Sequence, residues 1–193
     1  MTTQVSDTDI ENLLFMRQEE KLAGDVYHVL FEKWQLAPFS NIEESELFHQ
    51  SEVSAQLARL GIEDKAGDLA PGEFSIPKLQ DLYHQLVERG TQSVEEAYRV
   101  GALIEEVDID DLRKRRCGVP EIDAMYDLLE LGSHNHLRAF IINLAYMELP
   151  YKVQVLTPQE VVDILQAGGG GCDSNACHGA AGAAHHDDDN SCV

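Results

Sequence analysis

The sequence predicts an all-α fold, an antiparallel four-helix bundle with a short extra helix between its second and third long helices. Three observations carry this. Apolar residues recur at steps of three and four along four long segments, the period of a buried helix face. Helix-start and helix-stop residues separate those segments. The mixture of Leu, Glu, Ala and Gln favours helix, and few segments read as strands.

The first long helix is expected to open near Thr8, since Thr8 and Glu11 have capping-box spacing. It runs to Phe31 or Trp34. Pro38 suits the first turn of the second helix, which reaches about Leu60, with Gly61 as its stop. Residues 61–75 read as a loop around Pro71-Gly72. Ser75 before Ile76-Pro77 starts a short connecting helix over 76–89, closed by Gly90. Ser93 and Glu96 repeat the capping-box spacing and open the third long helix, over 94–116. Gly118 and Pro120 break the chain before the fourth, over 121–147. Thr157-Pro158-Gln159-Glu160 opens a last short helix ending at Gly168. The expected division is therefore a bundle over 8–147, a short C-terminal helix packed on it over 148–167, and a tail over 168–193. The tail has almost no large apolar residue and is expected to be disordered, because it cannot bury enough surface to offset its own ordering.

A length of 193 residues suits one domain with an appendage, and 44% hydrophobic residues is an ordinary globular value. The formal net charge of −21 repels nucleic acid and anionic membranes, while it attracts cations. The plainer reading of that charge is a solvated acidic face. No apolar run reaches the roughly 18–20 residues of a membrane span. Met1–Ile10 lacks the basic start and apolar run of a signal peptide, so a cytoplasmic location is expected. Of 4 cysteines, Cys117 stands alone and Cys172, Cys177 and Cys192 lie in the tail, which is no disulfide framework.

The chemistry lies on the apolar stripes. In the first helix the stripe reads Leu13, Met16, Glu20, Ala23, Tyr27, Leu30, Trp34, with Glu20 its one charge. In the second it reads Phe39, Ile42, Glu46, His49, Val53, Leu57, Leu60. In the third, Val94, Tyr98, Ala102, Glu105, Ile109 and Leu112 are interrupted only by Glu105. In the fourth the stripe is Tyr126, Leu129, Ser133, His136, Phe140, Leu144, Met147. Glu106 falls instead with Arg99, Asp110 and Arg113 on a face that reads as solvated, and His134 reads as outward-facing. A buried, uncompensated carboxylate is costly or becomes neutral. A lone core histidine is more often hydrogen-bonded than ligating, and a lone glutamate more often ion-paired. Four coincident interruptions with Glu-x-x-His spacing are hard to reach by chance, and a shared cation would satisfy all of them. Tyr27, two turns from Glu20, reads first as core packing and second as a hydrogen-bond donor to a ligand.

Glu19–Tyr27 (EEKLAGDVY), Ser45–His49 (SELFH), Val100–Leu112 (VGALIEEVDIDDL) and Gly132–Phe140 (GSHNHLRAF) together resemble the four helix motifs of the ferritin-like superfamily, closest to a rubrerythrin-related family of ferritin-like domains. The resemblance covers residues 10–147. It implies a pair of metal ions, iron foremost with manganese or another divalent metal as the alternative. Glu20 and His136 would be terminal ligands, Glu46 and Glu105 bridges, and His49 would complete one ion's shell. The family's fourth helix carries a glutamate three residues before its histidine, where this chain has Ser133. Asp108, one turn beyond Glu105, would then supply the missing carboxylate. Cys172-x4-Cys177 lacks the Cys-x-x-Cys spacing of a rubrerythrin electron-transfer domain.

The function expected from this resemblance is di-iron redox chemistry with oxygen or peroxide, as an oxidase, peroxidase or ferroxidase. The alternative is a non-catalytic storage or delivery protein, with Cys172, Cys177, His178, His185, His186, Asp187–Asp189 and Cys192 as a metal-capturing arm. A third reading is a structural bundle whose inward Glu and His are hydrogen-bonded pairs. The partners expected are metal ions, with oxygen or peroxide as reactant and a homodimer as the assembly admitted. Nucleic acid and membranes are not expected.

Overall fold

The computed structural model describes residues 5–167. Among these it contains six α-helices and no strand: α1 (Asp7–Trp34), α2 (Ala37–Arg59), α3 (Pro77–Gly90), α4 (Val94–Lys114), α5 (Pro120–Tyr146) and α6 (Pro158–Ala167). The tail cysteines and histidines, from Cys172 to Cys192, lie outside the described residues. No helix is long and apolar enough to cross a membrane, again among the described residues.

The helix ends follow local chemistry. The box that opens α1 is Ser6 with Asp9, not Thr8 with Glu11: Asp9 N–H donates to Ser6 Oγ, and Asp9 Oδ2 accepts from Ser6 N–H. Both pairs have the spacing. The earlier one wins where Val5, just before the cap, packs on the core. Proline sits in the first turns of α2, α3 and α5. Gly61 follows α2 with φ +72°, and Ile62 N–H reaches back to Leu57 O at 2.9 Å, a left-handed stop that suits glycine. The segment expected to be all loop, 61–75, holds one 3₁₀ turn over Lys65–Asp68, capped by the Asp64 side chain.

The four long helices pack in a closed circuit, α1 on α2, α2 on α5, α5 on α4 and α4 on α1. Their directions follow from paired contacts. Arg17 meets Gln50 while His28 meets Glu43, so α1 and α2 are antiparallel. Arg115 meets Asn12 while Gly101 lies against Tyr27, which sets α4 against α1. Arg113 meets Glu130 while Gly101 faces Phe140, which sets α5 against α4. Two of the connections in this circuit are short. The third, from α2 to α4, travels the length of the molecule and carries α3, which packs on α1 and α4. Trp34 Nε1 donates to Gly90 O at 2.9 Å where that connection arrives.

The buried apolar residues fall into two clusters. One contains Leu13, Met16, Val53, Leu57, Leu112, Tyr126 and Leu129. The other contains Val26, Tyr27, Leu30, Phe39, Ile42, Tyr98, Leu137 and Phe140. On α1, α2 and α5 the polar interruptions lie between the two, and on α4 Glu105 lies between Ile104 and Ile109, one turn short of the boundary with Leu112. Glu20 comes after Met16 and before Leu22, and Glu46 and His49 lie between Ile42 and Val53. Ser133 and His136 come between Leu129 and Leu137. The core is thus apolar at both ends with one polar layer across its middle.

The expected facing of Glu106 is overturned. Glu106 is fully buried rather than solvated. The segment after α5 folds back over that face, and Glu106 accepts from Gln154, Val155 and Leu156 N–H and from the Tyr151 hydroxyl. Arg17, Gln18 and Lys21 are also buried, although they lie off the apolar stripe, because the long connection covers the outer face of α1. Arg17 Nε pairs with Asp64 at 2.7 Å, Gln18 holds Ser75, and Lys21 Nζ reaches Ala70 O at 2.9 Å.

Candidate metal centre

The structure brings Glu20, Glu46, His49, Glu105 and His136 together in the polar layer. None is more than 6% exposed. They form two sets, each close enough to hold one cation: Glu20, Glu46 and His49, and Glu46, Glu105 and His136. Glu46 belongs to both. Its Oε2 lies 3.0 Å from His49 Nδ1 and its Oε1 lies 2.9 Å from His136 Nδ1. Glu20 Oε2 closes the first set at 3.2 Å from His49 Nδ1, and Glu105 Oε2 closes the second at 3.4 Å from His136 Nδ1. Glu105 enters only one set. The two imidazole rings are 5.5 Å apart between centroids.

Local sequence explains the placement. Glu46 and His49 are one helical turn apart, so both project from one face of α2. Ser45, the residue before, sits 2.9 Å from His136 Nε2 and braces that ring from the side away from the carboxylates. His49 lies against Gly132 so closely that a Cβ there would come within 2.4 Å of its Nε2. The glycine one residue before Ser133 is therefore the clearance for a ring on another helix. Tyr27 is both core packing and donor: its ring packs on Phe39 and Phe140, and its hydroxyl donates to Glu105 Oε1.

The remaining positions fall beside this layer. Asp108 is buried but belongs to neither set. Its Oδ2 lies 2.5 Å from Ser133 Oγ, where the resembled family has its carboxylate, and its Oδ1 has no partner. His134 is half-buried against Glu130 and Arg113 rather than facing out. Sequence reasoning missed Glu19, which is as buried as its neighbours and has an unpartnered Oε2. Its one sequence signal is adjacency to Glu20, and that does not distinguish it from a solvated residue.

The electrostatics are those of ionisable groups removed from water. Burial pushes Glu20 up to about 8, against the pull of His49. Burial also pushes Glu46 up, but the two histidines outweigh it and hold that carboxyl below its ordinary value. Burial favours neutral rings at His49 and His136. Glu46 with Glu20 in one case, and Glu105 with Glu46 in the other, overcome this and raise both, His136 to about 9. Burial raises Glu105, with His136 opposing.

The donors fit a cation pair. Three carboxylates and two imidazoles are the ligands that iron, manganese and zinc take. Glu20 Oε1 has no hydrogen-bond partner. His136 Nδ1, although close to two carboxylates, meets neither in hydrogen-bonding alignment. Atoms so placed are satisfied by an ion lying between them.

The architecture and sequence recur in other proteins. The crystal structure of a hypothetical protein, MJ0754 from Methanococcus jannaschii, matches with a TM-score of 0.83 at 39% identity, over 86% of this chain and 96% of that one. The uncharacterized protein MJ0754 of Methanocaldococcus jannaschii is 40% identical over 165 residues, 84% of this chain and 89% of that protein. The model of a family described as an uncharacterized protein domain, DUF2202, matches residues 9–168. The all-helical chain with its buried Glu and His sets belongs to the DUF2202 family.

Proposed function

We propose that this chain is a ferritin-like four-helix bundle with a two-ion carboxylate centre, iron foremost, that carries out redox chemistry with oxygen or peroxide. The observation that carries the reading is Glu46: one buried carboxylate directs one oxygen to each of two histidines, and each histidine has a second glutamate beside it. Connectivity supports it. The four long helices form an antiparallel circuit with a single long crossover, and α2 supplies a Glu-x-x-His pair, both features of ferritin-like carboxylate proteins.

When bound, an iron pair would supply one-electron steps between ferrous and ferric states. The chain's own residues set the conditions. Glu46 holds the two sets at fixed separation. Ser45 and Tyr27 fix the His136 ring and the Glu105 carboxylate. The two apolar clusters keep water from the layer on both sides, which strengthens charge interactions within it. Because no set member exceeds 6% exposure, the reactants that suit this layer are small, oxygen or peroxide rather than a bulky organic molecule.

Metal analysis of protein expressed with added iron tests the reading, with Glu46→Ala alongside. Two ions per chain in the wild type and none or one in the variant are expected. Full metal content in Glu46→Ala would overturn the two-ion centre. Repeated peroxide-dependent oxidation of the ferrous-loaded protein supports turnover, whereas one stoichiometric oxidation with the metal retained replaces it with storage.

A further inference from the structure

Where the segment after α5 folds back over α4, it borders a cavity of about 470 Å³ lined by Arg89, Arg99, Tyr151, Lys152, Val153 and Gln154. That volume is within the roughly 300–1,000 Å³ of small-molecule sites. None of the six residues belongs to the two metal sets. Tyr151 and Val153 pack on the core and give the cavity an apolar side, and the Tyr151 hydroxyl is fixed by Glu106. The remaining side is cationic.

The three cations come from three elements. Arg89 is in the last turn of α3, Arg99 is on α4, and Lys152 is on the segment that follows α5. Arg89 Nε donates to Glu96 Oε2 at 2.5 Å, and Arg99 Nε lies 3.8 Å from Glu96 Oε1, so one carboxylate holds both guanidiniums side by side. Arg99 also donates to Glu95 Oε1 from Nε at 3.0 Å and from Nη2 at 2.8 Å. These pairings join α3 to α4, an ordinary structural use of arginine. They leave both Nη groups of Arg89 and Nη1 of Arg99 without a hydrogen bond among the described residues. Lys152 is exposed, and among the described residues its ammonium pairs with no carboxylate. Three cations thus meet two carboxylates, a local positive excess in a chain with 14 Lys and Arg against 35 Asp and Glu. Composition alone does not produce such a cavity.

We propose that this cavity binds a phosphate group, free or esterified to a small organic body, through Arg89, Arg99 and Lys152. Guanidinium forks match phosphate oxygens in pairs, and the lysine adds a point charge. A tetrahedral phosphate can meet donors arriving from three elements, whereas a planar carboxylate has only two oxygens to offer. The organic body of an ester would lie on Tyr151 and Val153. The site is independent of the two-ion reading, since no metal ligand takes part in it.

The test uses the full-length protein, treated with chelator so that phosphate meets no bound metal. Inorganic phosphate, phenyl phosphate and benzoate are titrated in by calorimetry. The salt is about 0.15 M, which screens the repulsion of the −21 chain beyond about 8 Å. Both phosphates should bind at one site per chain. Lys152→Ala, at an exposed position, should weaken them about fivefold. Arg89→Gln removes charged hydrogen bonds and should weaken them about tenfold or more. Should Arg89→Gln melt early, Lys152→Ala decides alone. Tighter binding of phenyl phosphate identifies an ester as the ligand, and equal affinity identifies free phosphate. Benzoate binding as tightly as phenyl phosphate overturns the phosphate assignment. No binding of either phosphate at millimolar concentration, or wild-type affinity in both variants, overturns the site.

Discussion

Gly132→Ala isolates one half of the proposed centre without touching a ligand. A methyl at the ideal Cβ position would lie 2.4 Å from His49 Nε2 and 2.7 Å from its Cε1. Relaxed heavy-atom contacts are about 3.5–4.0 Å, so the ring has to withdraw by about 1 Å. Metal–nitrogen bonds of about 2.0–2.1 Å tolerate only about 0.2 Å, and the Glu20, Glu46 and His49 set loses its nitrogen. The His136 set is spared, since Gly132 does not face that ring. The fold survives: alanine gains about 0.8–1 kcal/mol over glycine within α5, while overpacking costs about 1–3 kcal/mol. The net loss of about 0–2 kcal/mol is small beside the roughly 5–15 kcal/mol of a typical domain. Equilibrium dialysis with Mn²⁺ or anaerobic Fe²⁺, alongside thermal unfolding, reads the outcome. One tightly held ion instead of two is expected, and adding His49→Ala should cause no further loss. Two ions at wild-type affinity would refute the assignment of His49 to the first set.

Further expectations follow from other contacts. Metal addition to chelated protein should raise the melting temperature by about 5–10 °C, since ligand at about 100 times its Kd contributes about 2.7 kcal/mol and a domain of this size shifts about 2–4 °C per kcal/mol. A scan with no shift at saturating metal would count against any buried site. Glu106→Ala leaves four donors of residues 151–156 facing a void, at about 1–3 kcal/mol each when they stay unsatisfied. Limited proteolysis should then nick that segment first, and an unaltered cleavage pattern would contradict the anchoring role. Burial raises Asp64, but Arg17 outweighs it and holds that carboxyl below its ordinary 3.8. Its stabilisation is therefore full above pH 5 and is lost as pH falls through the lowered value. Asp64→Asn should cost about 1 kcal/mol at pH 7, discounted for partial exposure, and the difference should shrink below pH 4. Urea titrations at pH 7 and pH 3 check it, and a gap that does not narrow argues against the pairing.

The fold and the candidate centre were legible to different depths. Glu20, Glu46, His49, Glu105 and His136 could be singled out because each interrupts an apolar stripe on its own helix, and a stripe is a local pattern with a fixed period. Helix ends were legible for the same reason, within the ambiguity of two overlapping capping pairs at Ser6 and Thr8. What failed was everything decided by a distant segment. Glu106 lies on a stripe with Arg99 and Arg113 and looks solvated until residues 151–156 fold over it. His134 reads as outward-facing until Arg113 and Glu130 close on it. Gly132 carries no periodic signal, because its purpose is the ring of His49 on α2. Covering segments and ring clearances are long-range facts, and one sequence without its partners placed does not encode them in any window.

The polar layer raises a question of stability that separates a metal centre from a structural network. Five ionisable residues cross the middle of a core that is apolar on both sides. Buried charge arrays of this kind are seldom the most stable solution, and replacement by apolar residues of similar volume is often neutral or stabilising by about 1–4 kcal/mol. If the layer is kept for a cation, a variant with Glu20→Met, Glu46→Met, His49→Leu, Glu105→Met and His136→Leu should bind no metal. It should also melt at or above the chelated wild type, because the substitutions remove desolvation costs that the Glu–His pairs only partly offset in the ion-free protein. If the layer is a hydrogen-bonded scaffold, the same variant loses the contacts of Tyr27 and Ser45 and melts well below. Single substitutions cannot make this distinction, since removing one member strands its partners and destabilises under either account. The whole-layer variant compares the two complete states, and a large drop in its melting temperature relative to chelated wild type would return Glu46 and its neighbours to a purely structural role.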